Sequence, residues 1–216
     1  MPLPPNDRGG RYRARRLGSL LTIGINAFLV GAFLLLAAPA HAGSVEQFVL
    51  DFNQRLSSEL GPTDLSEADR RTRFAALLDE YLDLNAASAL MLGPRWGKAS
   101  AEERAQFCAA FRDYLIHNFA SRIHGAGARR LQITGVVLDG PNATVSSEFS
   151  TDHIGALSVD WRLAMGGDAT WRLSNVTVAG LSMAAVMRAQ FDAVPDQNGA
   201  GLPPLVSLLR EQQRGQ

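Results

Sequence analysis

The chain has 216 residues, of which 46% are hydrophobic and 19% charged, so it can bury a sizeable core and lacks the composition of a multispanning membrane protein. Its formal net charge is zero, but the first 42 residues hold five arginines and one aspartate, which leaves a net charge of −4 on the other 174. Such an acidic body lacks the basic surface that binds nucleic acid. Cys108 is the only cysteine, which excludes an intrachain disulfide and metal sites built on paired cysteines.

The first 42 residues have the pattern of a secretory signal peptide. The arginines precede an apolar run at about Leu20–Ala38, and Ala40-His41-Ala42 supplies the small residues of a cleavage site. We predict cleavage after Ala42, which leaves residues 43–216 as a single exported domain. A retained transmembrane anchor is the alternative, because an apolar run of about twenty residues can span a bilayer.

The segment after the predicted signal peptide has the spacing of helices. Apolar residues recur at intervals of three and four in Val45–Leu60 and again from about Ser66 to Leu82. Asn85 is expected to cap a short helix that ends at Leu92. The clearest helix begins at Ser100, which forms a capping box with Glu103 and leads a body running to about His124. Its apolar residues are Phe107, Phe111, Tyr114, Leu115, Phe119 and Ile123.

The pattern then changes to the alternation of strands. Four runs separated by turn residues begin near Leu131, Asn142, Leu157 and Trp171, which predicts an antiparallel meander. The chain closes with two helices. Ser182 caps the first, whose apolar side carries Met183, Val186, Met187 and Phe191, and Leu202–Leu209 forms the second. The predicted fold class is therefore α+β, with helices packed on one face of a four-stranded antiparallel sheet.

No catalytic motif is found. Ser182 resembles a nucleophile elbow, but that motif needs a glycine two residues later, where this chain has Ala184, so a helix cap is preferred. His117 and His124 can share a helix face, but no cysteine or carboxylate stands at ligand spacing, so no metal site is predicted. We therefore do not predict an enzyme, and we expect no cofactor.

Three blocks of the chain resemble the MlaC family, also called the toluene-tolerance family of periplasmic phospholipid-binding proteins. They are Leu92–Ile123, with its Phe-x3-Phe-x3-Leu rhythm, Val159–Phe191, and the closing Gly201–Leu209. Ala179 departs from the family, which usually has an acidic residue there, so a polar contact is expected to be missing. Hopanoid-associated relatives share the same pattern, so a lipid of that class is an alternative ligand.

The resemblance implies a soluble periplasmic carrier that maintains outer-membrane lipid asymmetry. Such a carrier moves phospholipid between an outer-membrane lipoprotein complex and an inner-membrane ABC transporter with an MCE-domain subunit. Its lipid would lie in a cavity between the sheet and the helices. The expected lining, drawn from one sheet face and two facing helices, is Phe107, Phe111, Tyr114, Leu115, Phe119, Leu157, Val159, Trp161, Leu163, Met183, Val186 and Met187.

Two other interpretations stay open. Periodicity does not distinguish a lined cavity from a filled core, so these side chains also fit an adaptor protein with a solid core. An enzyme acting on an apolar ligand in a cone-shaped α+β fold would need a carboxylate inside the pocket. Asp160 is the only strand candidate in the apolar block, and the alternation points it away from Val159 and Trp161.

Overall fold

The computed structural model describes residues 44–123, 130–150, 156–195 and 201–214. Contacts divide the chain into Met1–Ala37 and Ala38–Gln216, and every described residue belongs to the second unit. The predicted signal peptide, residues 1–42, lies outside the described ranges.

Seven helices are present in the described ranges. They are α1 (Val45–Leu60), α2 (Glu67–Tyr81), α3 (Leu84–Leu92), α4 (Pro94–Lys98), α5 (Ala101–Phe119), α6 (Met183–Asp192) and α7 (Pro203–Arg214). The predicted bounds of α1 are confirmed. The five-residue α4 was not predicted, because so short a segment has no periodicity to detect. Ser44, Ser66, Ser100 and Ser182 each accept a hydrogen bond from the backbone N–H three residues later, which fixes where α1, α2, α5 and α6 begin.

The capping box at the start of α5 is confirmed. The Ser100 N–H donates to Glu103 Oε2 at 2.8 Å, and the Glu103 N–H donates to Ser100 Oγ at 3.2 Å. The α-helical geometry ends at Phe119 and continues as a 3-10 turn over Ala120–Ile123, while His124 lies outside the described ranges.

The predicted cap of α3 at Asn85 is wrong. Asp83 caps this helix instead, because its Oδ1 accepts from the Ala86 N–H at 2.9 Å. The Asp83 N–H also donates to the Leu173 carbonyl at 2.8 Å. That bond ties the chain to the sheet just before α3 begins.

The sheet is an antiparallel meander with spatial order β1-β2-β3-β4-β5. Its strands are β1 (Arg130–Asp139), β2 (Asn142–Ser150), β3 (Leu157–Met165), β4 (Trp171–Val178) and β5 (Leu181–Ser182). The predicted fold class is confirmed, with the two-residue β5 as an addition. Ala179 and Gly180 join β4 to β5, and both have positive φ, +49° and +78°. Two such residues in a two-residue hairpin loop form a type I′ turn.

The two faces of β3 differ in their surroundings. Val159, Trp161 and Leu163 are buried on the inner face of the sheet, which α1 and α2 contact. The rings of Trp161 and Phe52 are 5.9 Å apart, edge to face. Arg162, on the outer face, is exposed. The alternation predicted for this strand is therefore what places the core on one side of the sheet.

Buried apolar side chains form two clusters. The sheet cluster consists of Val45, Val49, Phe52, Leu60, Phe74, Leu77, Leu78, Tyr81, Ala120, Ala143, Val145, Val159, Trp161, Leu163, Trp171 and Leu173. The helical cluster consists of Met91, Leu92, Ala99, Phe107, Ala110, Phe111, Phe191, Leu202, Leu205, Val206 and Leu209. Leu115 packs against both clusters. The C-terminal half of α5 therefore joins two apolar regions.

Candidate functional site

The structure divides the predicted lining residues between the two clusters. Val159, Trp161 and Leu163 belong to the sheet cluster. Phe107 and Phe111 belong to the helical cluster, against which Tyr114 and Met187 pack, and Leu115 contacts both. Leu157, Met183 and Val186 are half-buried outside these clusters, and Phe119 is exposed.

The helices that face the inner side of β3 differ from those expected. We expected the Phe107–Phe119 helix and the Met183–Phe191 helix to oppose this sheet face, but α1 and α2 occupy that position. The phenylalanine face of α5 packs instead with Phe191 and with the leucines of α7. The ring centroids of Phe107 and Phe191 are 5.6 Å apart. The apolar face of α7 thus covers the α5 residues that we expected to face the strands.

Three aromatic residues of α1 and α2 lie by the sheet but were not among the predicted lining. Tyr81 stands between Phe48 and Phe52, with ring centroids at 5.2 and 5.0 Å. The Tyr81 hydroxyl donates to Asp51, and the Arg55 guanidinium donates to the Tyr81 hydroxyl at 3.3 Å. The recurring apolar residues of α1 indicate that one face of this helix is buried, but they do not indicate which surface the helix covers.

Burial along the inner face of the sheet is uneven. On the central strands β2 and β3, near the β1–β2 and β3–β4 turns, the side chains of Ala143 and Leu163 are 1% and 0% exposed. On the edge strand β1, Leu138, the register partner of Ala143, is 66% exposed. At the other end of the sheet the apolar side chains are half-buried, and Leu181 is 56% exposed. This half-exposed end consists of Leu131, Phe149, Leu157, Val178 and Leu181. Exposed contiguous apolar surface on a globular domain is a mark of a binding site.

The polar groups of β2 and β3 lie on defined sides of the sheet. Ser147, on the inner face, accepts from the Trp161 indole and donates to the Val159 carbonyl, so the buried indole N–H is satisfied. Asp160 accepts from Ser146 Oγ at 2.7 Å on the outer face. The carboxylate that an enzyme on this fold would require is therefore directed away from the Trp161 side.

The other candidate reactive groups occupy structural positions. Ser182 is the N-cap of α6, as predicted, and accepts from the Ala185 N–H at 3.3 Å and from Asn175 Nδ2 at 3.1 Å. Cys108 is half-buried beside Ser88, and burial raises the pKa of its thiol. Among the residues that the structure describes, no group of three or more histidine, cysteine, aspartate or glutamate side chains could hold a metal ion.

No helix within the described ranges is long and apolar enough to cross a bilayer.

Residues 47–211 match a family model described as MlaC protein. The chain belongs to the MlaC family. This match confirms the resemblance that the sequence blocks indicated, and it covers every residue of the two apolar clusters except Val45.

A solved structure supports the same fold for this MlaC-family chain. It is the phospholipid-binding protein from Ralstonia solanacearum in complex with a phospholipid. The two chains superpose with a TM-score of 0.68 at 18% identity, over 80% of this chain and 98% of the other. Among curated proteins none matches the chain.

Proposed function

We propose that this MlaC-family protein is a periplasmic phospholipid carrier that holds the acyl chains on the inner face of its sheet, at the half-exposed end. The observation that carries the proposal is the gradient of burial along the central strands β2 and β3, from Ala143 and Leu163, at 1% and 0% exposed, to the half-buried Phe149 and Leu157. The phospholipid in the similarly folded Ralstonia solanacearum protein supports the choice of ligand.

The energetics of lipid transfer require a large apolar environment. Each buried methylene contributes about 0.8 kcal/mol, and two acyl chains carry about thirty of them, so a carrier must replace nearly all of the hydrocarbon contacts that the bilayer supplied. Leu131, Phe149, Leu157 and Val178 offer apolar area that the protein itself leaves partly uncovered. The acyl chains would lie over these side chains and reach toward Trp161.

Carriage requires no catalytic group. The inner face of the sheet offers hydrocarbon and aromatic surface, and Ser147 already satisfies the Trp161 indole there. The headgroup would remain in water at the mouth of the site, so few polar contacts would be needed and headgroup selectivity would be weak. The family supports export by a cleaved signal peptide at residues 1–42, and lipid transfer between an outer-membrane lipoprotein complex and an inner-membrane ABC transporter with an MCE-domain subunit.

Native mass spectrometry tests this function directly. Protein expressed from the full-length sequence in a bacterium and purified from its periplasm is expected to carry one phospholipid. The added mass also distinguishes a phospholipid from a hopanoid. Protein that is always empty, even after incubation with phospholipid vesicles, would overturn the proposal.

A matched pair of leucine variants localises the site. Leu157→Lys places a charge at the half-exposed end and is expected to lower lipid occupancy about tenfold, because a buried charge must be desolvated. Leu50→Lys makes the same change on the outward side of α1, where Leu50 is 39% exposed, and is expected to keep its lipid. Equal loss in both variants would contradict the placement.

A further inference from the structure

A second concave site lies on the outer face of the sheet. It has a volume of about 340 Å³ and is open to solvent between α6 and the β3–β4 pair. Arg162, Asn175, Ser182, Ala185, Arg188 and Asp192 are among its lining residues. Because Arg162 and Trp161 are consecutive on β3, they point to opposite faces. This outer pocket is therefore separate from the proposed phospholipid site.

Arg162 brings an unneutralised charge to the outer pocket. Its side chain is exposed, and no hydrogen bond or ion pair joins it to another residue in the described parts of the chain. Its register partners on β2 and β4 are the neutral Thr144 and Asn175. By contrast, Arg172 on β4 pairs with Asp168 at 3.2 Å. The donors of the Arg162 guanidinium are thus available to a ligand.

Arg188 brings a second positive charge, held in a fixed position. Its guanidinium donates to the backbone carbonyls of Leu90 and Met91, the latter at 3.3 Å from Nε, in the last turn of α3. Carbonyl partners orient the group without cancelling its charge. With Asp192 as the acidic residue of the lining, the outer pocket is net positive in a body whose net charge is −4.

The remaining lining is small and largely apolar. Ala184, Ala185 and Ala189 present methyl groups along α6. The N–H groups of Ala184 and Ala185 already donate to Asn175 Oδ1 at 3.0 Å and to Ser182 Oγ at 3.3 Å. The beginning of α6 is therefore satisfied by its own caps, and recognition of a ligand falls to the arginines.

We propose that the outer pocket binds a small organic anion, a carboxylate or phosphate carried on a short apolar body. A free guanidinium matches the two oxygens of such a group in a bidentate arrangement. The volume lies at the lower end of the range of about 300 to 1,000 Å³ found for small-molecule sites, and the alanines accept the apolar part. Asp192 is about 10 Å along the helix from Ala185, and its carboxylate repels an anion. We therefore place the anionic group at the Arg162 end of the outer pocket.

Amide NMR on protein produced from the full-length sequence tests this assignment, with phenyl phosphate and benzoate as probes. Either probe is expected to shift the amides of Arg162, Asn175 and residues 182–189 in a saturable manner. Arg162→Gln is expected to weaken binding about tenfold, the loss typical of a charge-assisted hydrogen bond. Ala185→Leu, which fills the pocket and leaves both arginines, is expected to weaken it similarly.

The controls distinguish binding at the outer pocket from non-specific electrostatic attraction to the protein surface. Arg210→Gln removes the same charge from an exposed position on α7 and is expected to leave binding unchanged, and neutral benzyl alcohol is expected to cause no shift. The proposal is overturned by equal loss in the Arg162 and Arg210 variants, or by the absence of saturable shifts with both probes. It is also overturned if inorganic phosphate binds as tightly as phenyl phosphate, or if only phosphatidylglycerol vesicles shift these amides. Lipid occupancy is expected to be the same in all three variants.

Discussion

Trp161 donates its indole N–H to Ser147 Oγ, 2.9 Å away across the β2–β3 pair, and the Ser147 hydroxyl donates in turn to the Val159 carbonyl at 3.0 Å. Both side chains are buried on the inner face of the sheet. One serine thus satisfies the only polar atom of the Trp161 side chain. Loss of such a partner leaves a buried polar group unsatisfied and lowers the stability of the folded protein.

Ser147→Ala is therefore expected to destabilise the protein by about 2 kcal/mol, because it leaves the Trp161 indole N–H buried without an acceptor. Urea unfolding followed by tryptophan fluorescence measures the change in the free energy of unfolding. Ser146→Ala is the control, since Ser146 lies on the outer face and donates to Asp160. A loss in the Ser147 variant no larger than in the control would contradict the role assigned to Ser147.

Arg70 holds the connection between α1 and α2. The side chain is 4% exposed, and its guanidinium donates to the carbonyls of Leu60, Pro62 and Leu65, the last two at 3.2 and 3.3 Å. Arg70→Met is expected to cost about 3 kcal/mol, because these carbonyls lose their donors. Thermal unfolding compares it with Arg71→Met, which removes only an exposed pair with Glu67 and is expected to cost less than about 0.5 kcal/mol. Similar losses in both variants would show that the loop does not depend on Arg70.

A paired carboxylate links α2 to α5 and makes part of the stability depend on pH. Arg112 contacts both Asp79 oxygens, at 2.6 and 2.7 Å, and this bond holds the pKa of Asp79 below its usual value. A lowered pKa in the folded state stabilises the fold above the ordinary carboxyl pKa, and that stability is lost as the pH falls through the folded value.

Asp79→Asn is accordingly expected to be less stable than the parent at pH 7 by up to about 1 kcal/mol, since the pair is half-exposed, and this difference is expected to shrink as the pH falls below the ordinary carboxyl pKa. Urea unfolding across this pH range gives the comparison. Asp113→Asn, whose carboxylate is 3.9 Å from Arg112, is expected to change little across this range. An undiminished difference for Asp79→Asn at the acid end would contradict this account.

The turn between β4 and β5 can be improved. Ala179 has φ +49°, a left-handed conformation that costs an alanine about 1 kcal/mol and suits asparagine better. Ala179→Asn is expected to raise the free energy of unfolding by about 0.5 to 1 kcal/mol, measured by chemical denaturation. Ala189→Asn, in the interior of α6, is expected to have the opposite effect because asparagine disfavours helix. An unchanged or lowered stability for Ala179→Asn would show that the turn is not strained.

The elements that the sequence predicted are those with a local signal. The caps at Ser100 and Ser182, the recurring apolar residues of α1 and the alternation of β3 each specify a helix or strand without reference to the rest of the chain. The two-residue β5 has no periodicity, and its turn is recognised only from the φ angles of Ala179 and Gly180. Short elements that depend on a neighbour are therefore found only in the structure.

No local sequence pattern indicates which surface each apolar helix face packs against. The phenylalanines of α5 and those of α1 recur at similar spacings, and either set could have covered the sheet. The structure gives that position to Phe52 of α1, while Phe107 and Phe111 pack with α7. Alternation placed Leu157 on the same strand face as Val159 and Trp161, whereas its position at the half-exposed end depends on the tertiary structure.

Paramagnetic NMR with a spin-labelled phospholipid tests the central claim most directly. Protein loaded with phosphatidylcholine that carries a nitroxide near the end of one acyl chain is expected to show the strongest broadening at the amides of Leu157, Val159 and Trp161. The amides of Phe107 and Leu205, in the helical cluster, are expected to remain sharp. Strongest broadening in the helical cluster, or no broadening at any amide of a protein shown to be loaded, would contradict the placement of the acyl chains on the inner face of the sheet.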